Sequence, residues 1–167
     1  KVAFISNRDI IGNNPDLNTQ LFFFDATIPA IFQVTNTLNS PPGSAQQSVP
    51  AISGDGSHIA FLSTSDLTGS NSDHGEEYFL YDIVDDDFTQ LTNLPNAAAS
   101  QGGRPGINFS GTEVNFLHVG NLNGQNPDGN VELFRWHFLD QITHMTTTAG
   151  GGFESFTSPT MNDSGSL

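Results

Sequence analysis

Residues 53–93 read SGDGSHIAFLSTSDLTGSNSDHGEEYFLYDIVDDDFTQLTN, and this stretch predicts the fold of the whole chain. It begins with a Gly-Asp-Gly turn and continues into an apolar strand at 58–62. A polar loop rich in Gly, Asn and Asp follows, then an aromatic strand at 78–81, an acidic turn and a last short strand. Short aromatic and β-branched runs separated by turn residues are typical of antiparallel strands. No window of the chain shows helical periodicity over three turns, so we expect an all-β fold.

The same arrangement recurs on both sides of this stretch. The loop positions that recur are Asp66, Gly69, Asn71 and Asp73, preceded at an offset of 57 residues by Asp9, Gly12, Asn14 and Asp16, and followed at an offset of 55 by Asn121, Gly124, Asn126 and Asp128. The aromatic strands fall in the same register. A fixed internal period indicates a repeat architecture. We therefore divide the chain into one domain of three repeats, 1–57, 58–112 and 113–167.

The runs SGDG, IAFLS, YFLYD and QLT resemble the PD40 or TolB-like repeat of WD40-type β-propellers. The resemblance covers nearly all of the chain in three copies and is most specific in the middle copy. It implies propeller blades of four antiparallel strands. The third copy departs from the pattern most, with Asn115 in place of Ala3 and Ala60, His137 in place of Asp25 and Asp82, and His144-Met145-Thr146 in place of Gln-Leu-Thr.

The order of strands leaves one blade incomplete. Low-complexity connectors lead into a fourth type of strand at 48–52, 103–109 and 157–162, which the resemblance places innermost, near the propeller axis. Strand 1–6 then lacks an inner neighbour, and unpaired edges of this kind invite pairing. Three blades are also fewer than the usual four to eight. The first blade is therefore expected to be completed by a strand from the C-terminus or from another chain. The alternatives are a six-bladed ring of two chains, an open fibre, or a piece of a longer protein.

Composition limits the classes of partner. The chain has 18 acidic and 4 basic residues and a formal charge of −14, which argues against binding nucleic acid or an anionic membrane. The longest apolar runs are far short of the roughly 20 residues of a membrane-spanning helix, so no membrane insertion is expected. There is no Cys for a disulfide or a metal. An acidic surface rich in Asn, Ser and Thr suits a secreted, extracellular or periplasmic protein, and the initial Lys indicates a mature form or a fragment.

The recurring loops carry oxygen donors at matching positions, and we predict that they bind Ca²⁺. Calcium takes six to eight oxygen ligands, and glycine-rich loops let several of them converge. The candidate ligands are Asp66, Asn71, Asp73 and Glu77 in the second copy, Asn126, Asp128 and Glu132 in the third, and Asp9, Asn14 and Asp16 in the first. The second copy is expected to bind best, and the first, with Gln20 in place of the acid, worst. The alternative is that Asp, Asn and Gly are simply the residues that tight turns use.

The other candidate residues are each better explained by a role in the fold than by a binding or catalytic role. The acidic run 85–87 is interpreted as a solvated hairpin turn, and the five histidines lie on different strands or loops without the spacing of a zinc site. There is no Gly-x-Ser-x-Gly elbow, so an enzyme is not expected. Aromatic residues recur at the same position of each repeat, which indicates a core packed between blades.

We therefore predict a non-catalytic scaffold or binding module that is stabilised by calcium and associates with protein partners or with its own copies through open blade edges. Two alternatives remain. The chain could be a propeller fragment of a larger hydrolase or lyase, or a propeller that binds a glycan or another small ligand.

Overall fold

The structure is a computed structural model that describes residues 1–38, 47–94, 103–149 and 159–162. Within these ranges the chain is all-β, with eleven strands in three antiparallel sheets. This confirms the expected fold class. No helix in the described ranges is long and apolar enough to cross a membrane.

The three sheets follow one another along the chain. The first has the order β1 (Val2–Ser6), β2 (Gln20–Asp25), β3 (Ala30–Gln33). The second has the order β4 (Gln47–Ile52), β5 (His58–Ser63), β6 (Glu77–Asp82), β7 (Asp87–Gln90). The third has the order β8 (Gly106–Ile107), β9 (Glu113–His118), β10 (Glu132–His137), β11 (Gln141–His144).

Cross-strand aromatic pairs fix the register of the central hairpin in each sheet. The pairs are Phe4 with Phe22, Phe61 with Phe79 and Phe116 with Phe134, and their rings stack at 5.6, 5.9 and 6.0 Å. Stacked pairs of this kind stabilise a sheet beyond the area that they bury. A slip of one residue would move every aromatic side chain to the opposite face of its strand. The recurring aromatic residues of the second and third repeats also lie in the core between sheets, as predicted: Phe61, Phe79, Tyr81, Phe116, Phe134 and Trp136.

The core lies between consecutive sheets. One cluster joins Leu21 and Phe23 of the first sheet to Ile59 and Phe61 of the second. A second cluster joins the other face of the second sheet to the third, and it includes Tyr78, Phe116 and Trp136 among others. The second sheet is thus covered on both faces, which explains why β5 and β6 are continuous apolar runs rather than alternating ones.

Two of the three inner strands are shorter than the sequence indicates, whereas the one expected at 48–52 is present as β4. The expected strand at 103–109 is reduced to Gly106–Ile107, because Pro105 has no N–H to donate to a neighbouring strand and the Asn108 side chain accepts from the N–H of Glu113 at 3.2 Å. Of the strand expected at 157–162, residues 159–162 are described and are not in a strand, and 157–158 lie outside the described ranges. Most of the three connectors, at 39–47, 95–103 and 147–152, also lies outside the described ranges.

Residues 159–162 nevertheless have a defined neighbour. The carbonyl oxygen of Pro159 lies only 2.8 Å from the point that a Cβ atom on Gly106 would occupy. The segment therefore packs directly against the backbone of β8. At the other end of the series, β1 is hydrogen-bonded to β2 along one edge and, in the described part of the chain, to no strand along its other edge, although β4 packs close to it.

Candidate functional site

One long loop in each sheet joins two paired strands: β1 to β2, β5 to β6 and β9 to β10. Each of these three loops contains a buried asparagine. Asn14, Asn71 and Asn126 are 2%, 0% and 2% exposed. In each case the side-chain amide donates to the carbonyl oxygen four residues later, at 2.9 Å in all three loops. The same side chain thus holds the same turn of backbone three times.

A second repeated contact closes the start of each loop. The backbone N–H of the buried Asn donates to the side chain five residues earlier, which is Asp9 at 2.9 Å, Asp66 at 2.8 Å and Asn121 at 2.7 Å. Between these residues the chain passes through glycines with positive φ of 84°, 80° and 82°, where other residues are strained. Several predicted calcium ligands therefore have structural roles in turns of the kind that Asx side chains stabilise.

The first residue of β2, β6 and β10 is buried. It connects the loop before that strand to the segment that follows β3, β7 or β11. Gln20, Glu77 and Glu132 each accept a hydrogen bond from a threonine hydroxyl, those of Thr35, Thr92 and Thr146 respectively. Each also accepts a backbone N–H two residues beyond that threonine, at 3.3, 2.9 and 2.6 Å. Gln20 accepts these two hydrogen bonds as a neutral amide, so they do not require a charged acceptor.

The pKa values of the two carboxylates shift in opposite directions. Burial raises the pKa of Glu77, the hydrogen bonds from Thr92 and Leu94 oppose that effect, and the charges of Asp73 and Glu76 add to it. For Glu132 burial also raises the pKa, but the hydrogen bonds from Thr146 and Thr148 outweigh it, so that the pKa lies below its ordinary value. Hydrogen-bond donors and positive charges therefore stabilise the ionised form of Glu77 less than that of Glu132.

The loops do not assemble a conventional metal site. No group of three or more His, Asp or Glu side chains within the described ranges is placed to hold a metal ion. Asp16, Asp73 and Asp128 are exposed, as are Asp9 and Asp66. The oxygens Asn71 Oδ1 and Asn126 Oδ1 are buried without a hydrogen-bond partner, which leaves them available as acceptors or ligands.

The second loop differs from the other two at Gly75. Its counterparts, Asn18 and Asn130, donate a side-chain amide to the carbonyls of Thr37 and Thr148. Gly75 has no side chain, and the point that its Cβ would occupy lies 3.5 Å from Glu77 Oε1, 3.6 Å from Asp73 Oδ1 and 3.7 Å from the Leu94 carbonyl. An amide donor in two loops is thus replaced in the third by a gap lined with three oxygens.

His118 is a structural residue whose role the sequence analysis missed. It is fully buried, and its Nδ1 accepts the N–H of Gly120 at 2.7 Å. Ser63 accepts the N–H of Ser65 in the same way. Burial lowers the pKa of His118 to about 4. The available signal was its register with Ser6 and Ser63, since offsets of 57 and 55 residues align the three.

Comparison with models of protein families gave no match, and comparison with curated proteins gave none either. Solved structures do match. The chain aligns with oligogalacturonate lyase from Vibrio parahaemolyticus at a TM-score of 0.50 and 10% identity, over 78% of this chain and 34% of that one. The solved structures that this chain resembles are propeller-fold proteins. At this identity the similarity concerns the fold alone.

Two further structures are similar over comparable shares of the chain. Putative TolB from Agrobacterium tumefaciens gives a TM-score of 0.48 at 15% identity, over 77% of this chain and 41% of that one. The GH74 enzyme of Niastella koreensis gives 0.38 at 12% identity, over 85% and 22%. The chain therefore spans less than half the length of each of these three proteins.

Proposed function

We propose that the chain is a non-catalytic scaffold module made of three propeller blades, and that a second copy completes its first blade. The observation that carries this proposal is the difference between the sheets. Among the described residues two sheets have four strands, whereas the first has three and leaves one edge of β1 without a hydrogen-bonded strand. Val2 and Ile5 on this strand are 58% and 38% exposed. An open strand with apolar side chains is a template for strand addition.

The segment 159–162 is the proposed donor. It packs against Gly106 of β8, which is the inner strand of the third sheet. In the second sheet the corresponding inner strand, β4, pairs antiparallel with β5. We propose that 159–162 pairs in the same way with β1 of another copy, and that two chains exchange these segments to close one ring. The contact is then the same on both sides of a twofold axis, which limits the assembly to a pair.

The native mass of the particle tests this proposal. We expect a species of twice the 17.9 kDa chain mass, measured by light scattering across a wide range of protein concentrations. A monomer at all concentrations would contradict strand exchange. A mass that grows steadily with concentration would contradict the closed pair in favour of an open string.

The acidic, Asn-rich composition is the reason to propose that this particle functions outside the cytoplasm.

We also propose that the second loop holds a calcium ion, with Glu77, Asp73 and the Leu94 carbonyl as ligands. Support comes from the three oxygens around Gly75 and from the raised pKa of Glu77, which a bound cation would reverse. Calcium prefers such carboxylate and carbonyl oxygens. Its role would be to stabilise the loop against the segment after β7, and it would supply no chemistry.

Replacing Gly75 by Asn tests the calcium proposal. Asn at this position copies Asn18 and Asn130 and places an amide donor among the three oxygens, and Gly75 has no positive φ to obstruct it. We expect the wild-type protein to gain about 3 kcal/mol of unfolding free energy at a 100-fold excess of calcium over its dissociation constant. We expect Gly75→Asn to lose that gain.

Isothermal titration with calcium and thermal unfolding with and without a chelator would provide the two readouts. Glu132→Gln is the matched control, because it alters the equivalent carboxylate of the third loop. Equal calcium effects in wild type and Gly75→Asn would exclude this site, as would a calcium response that Glu132→Gln removes.

A further inference from the structure

A cleft of about 300 Å³ lies between the second and third sheets, where β5 begins and β6 ends. Its second-sheet side carries three carboxylates, those of Asp82, Asp85 and Asp87. Its third-sheet side carries the rings of Trp136 and Phe138. No Lys or Arg is among the residues that line this acidic cleft.

Close packing and hydrogen bonds position His58 and Asp82 at the base of the acidic cleft. His58 packs against Gly111, where an added Cβ would come within 2.4 Å of the imidazole ring. Its Nε2 lies 3.3 Å from Asp82 Oδ2. The other oxygen of Asp82 accepts the backbone N–H groups of Val84 and Asp85 at 2.8 and 3.1 Å. These two hydrogen bonds fix the start of the acidic turn beside the cleft, while residues 84–87 remain exposed, as expected for a solvated hairpin turn.

The chain contains a second cleft of the same kind, of about 480 Å³, between the first and second sheets. Its lining residues stand at equivalent positions of the repeat, at offsets of 57 or 55: Lys1 for His58, Asp25 for Asp82, Ile28 for Asp85, Tyr81 for Trp136 and Ile83 for Phe138. In this second cleft Lys1 Nζ lies 3.4 Å from Asp25 Oδ2. An ammonium group thus already contacts the carboxylate of one cleft.

The two clefts differ in their balance of charge. The cleft with Lys1 has an apolar Ile28 where the acidic cleft has Asp85, and Phe32 where the acidic cleft has Thr89. The acidic cleft therefore has more carboxylates and lacks the lysine that contacts them in its counterpart. Aromatic rings attract alkylammonium groups through their faces, and carboxylates bind them through charge-assisted hydrogen bonds.

We propose that the acidic cleft binds the lysine side chain of a partner protein. In this arrangement the ammonium group contacts Asp85 and Asp87, and the methylene stem packs on Phe138, which is 52% exposed beside the buried Trp136. The net charge of −14 favours the approach of a basic partner. This site is separate from the β1 edge, and its test does not depend on how the chain assembles.

Trp136 is the only tryptophan in the chain, so its fluorescence reports directly on the cleft. We would titrate the full chain with a blocked Gly-Gly-Lys-Gly-Gly peptide and with the same peptide acetylated on the lysine Nε. We expect a saturable change in fluorescence with the first peptide that weakens at high salt. We expect no change with the acetylated peptide, because it has the same stem without the charge.

A variant with both Asp85→Asn and Asp87→Asn should bind the lysine peptide about tenfold more weakly, given the usual contribution of partly exposed ion pairs. Asp86→Asn is the matched control. It removes one charge from the same turn, but Asp86 accepts the Tyr81 hydroxyl at 2.7 Å and lines the other cleft. We expect it to bind as the wild type does.

Three results would overturn the proposal. The first is an equal response to the acetylated peptide. The second is unchanged binding in the double variant or an equal loss in Asp86→Asn. The third is a response to free 1,4-diaminobutane with none to the lysine peptide, which would assign the cleft to a small amine instead of a protein side chain.

Discussion

Acidification from pH 6.5 to pH 4 is expected to cost the protein about 3 kcal/mol of unfolding free energy through His118 alone. The side chain is fully buried, and burial lowers its pKa from 6.5 to about 4. The unfolded chain therefore binds the proton more readily than the folded chain. The stability that neutral His118 provides is complete above pH 6.5 and is lost as the pH falls through 4.

His118→Ser is the variant that isolates this effect. Serine stands at the equivalent positions Ser6 and Ser63, and its hydroxyl can accept the N–H of Gly120 without binding a proton. We expect a lower stability at neutral pH, because the ring leaves a cavity, but a much flatter dependence on pH between 6.5 and 4. Urea unfolding at several pH values measures both quantities.

His74→Ser serves as the control, since His74 lies exposed on the second loop. This variant should keep the pH dependence of the wild type. A His118→Ser variant that keeps the full loss of stability on acidification would show that other groups cause it.

Asn71→Asp is expected to destabilise the protein by about 3 kcal/mol, with or without calcium. The change is isosteric but removes the amide that donates to the carbonyls of Ser65 and Gly75 at 3.4 and 2.9 Å. It also buries a carboxylate against those carbonyl oxygens. Chemical denaturation in a chelator and in calcium gives the two values to be compared.

The same change separates the two interpretations of Asn71. If Asn71 were a calcium ligand through Oδ1, an aspartate would strengthen calcium binding and recover stability when calcium is added. The parallel variant Asn126→Asp is the control, because Asn126 makes the same contact with Asn130 at 2.9 Å in a loop for which we propose no ion. A calcium-dependent rescue of Asn71→Asp alone would contradict the structural role.

The strands and their pairing could be predicted because the aromatic residues recur at a fixed offset. Once Phe61 is opposite Phe79, the same register applies to Phe4 with Phe22 and to Phe116 with Phe134. The inner segments were predicted less well. The segment 48–52 does lie within β4, but of 103–109 only Gly106–Ile107 forms a strand, because Pro105 beside it has no N–H to donate.

The loops were located correctly, but the partners of their polar atoms could not be read from the sequence. Oxygen-bearing residues at regular spacing suit both a metal loop and a network of Asx turns. Only the geometry shows that Asp66 accepts a backbone N–H and that Asn71 donates to a carbonyl. The acidic cleft was missed for a different reason, since Trp136 and Asp85 belong to different repeats and meet only when the sheets pack.

A chemical crosslink between β1 of one copy and segment 159–162 of another tests the strand exchange most directly. The chain has no Cys, so the variants Val2→Cys and Thr160→Cys each carry one thiol. We expect a short bismaleimide to join them, giving twice the 17.9 kDa chain mass when the two variants are mixed. Val84→Cys, on an 80% exposed turn, should give no such product with Thr160→Cys. The absence of a crosslink in the mixture, or a crosslink formed within a single chain that carries both thiols, would contradict the exchange.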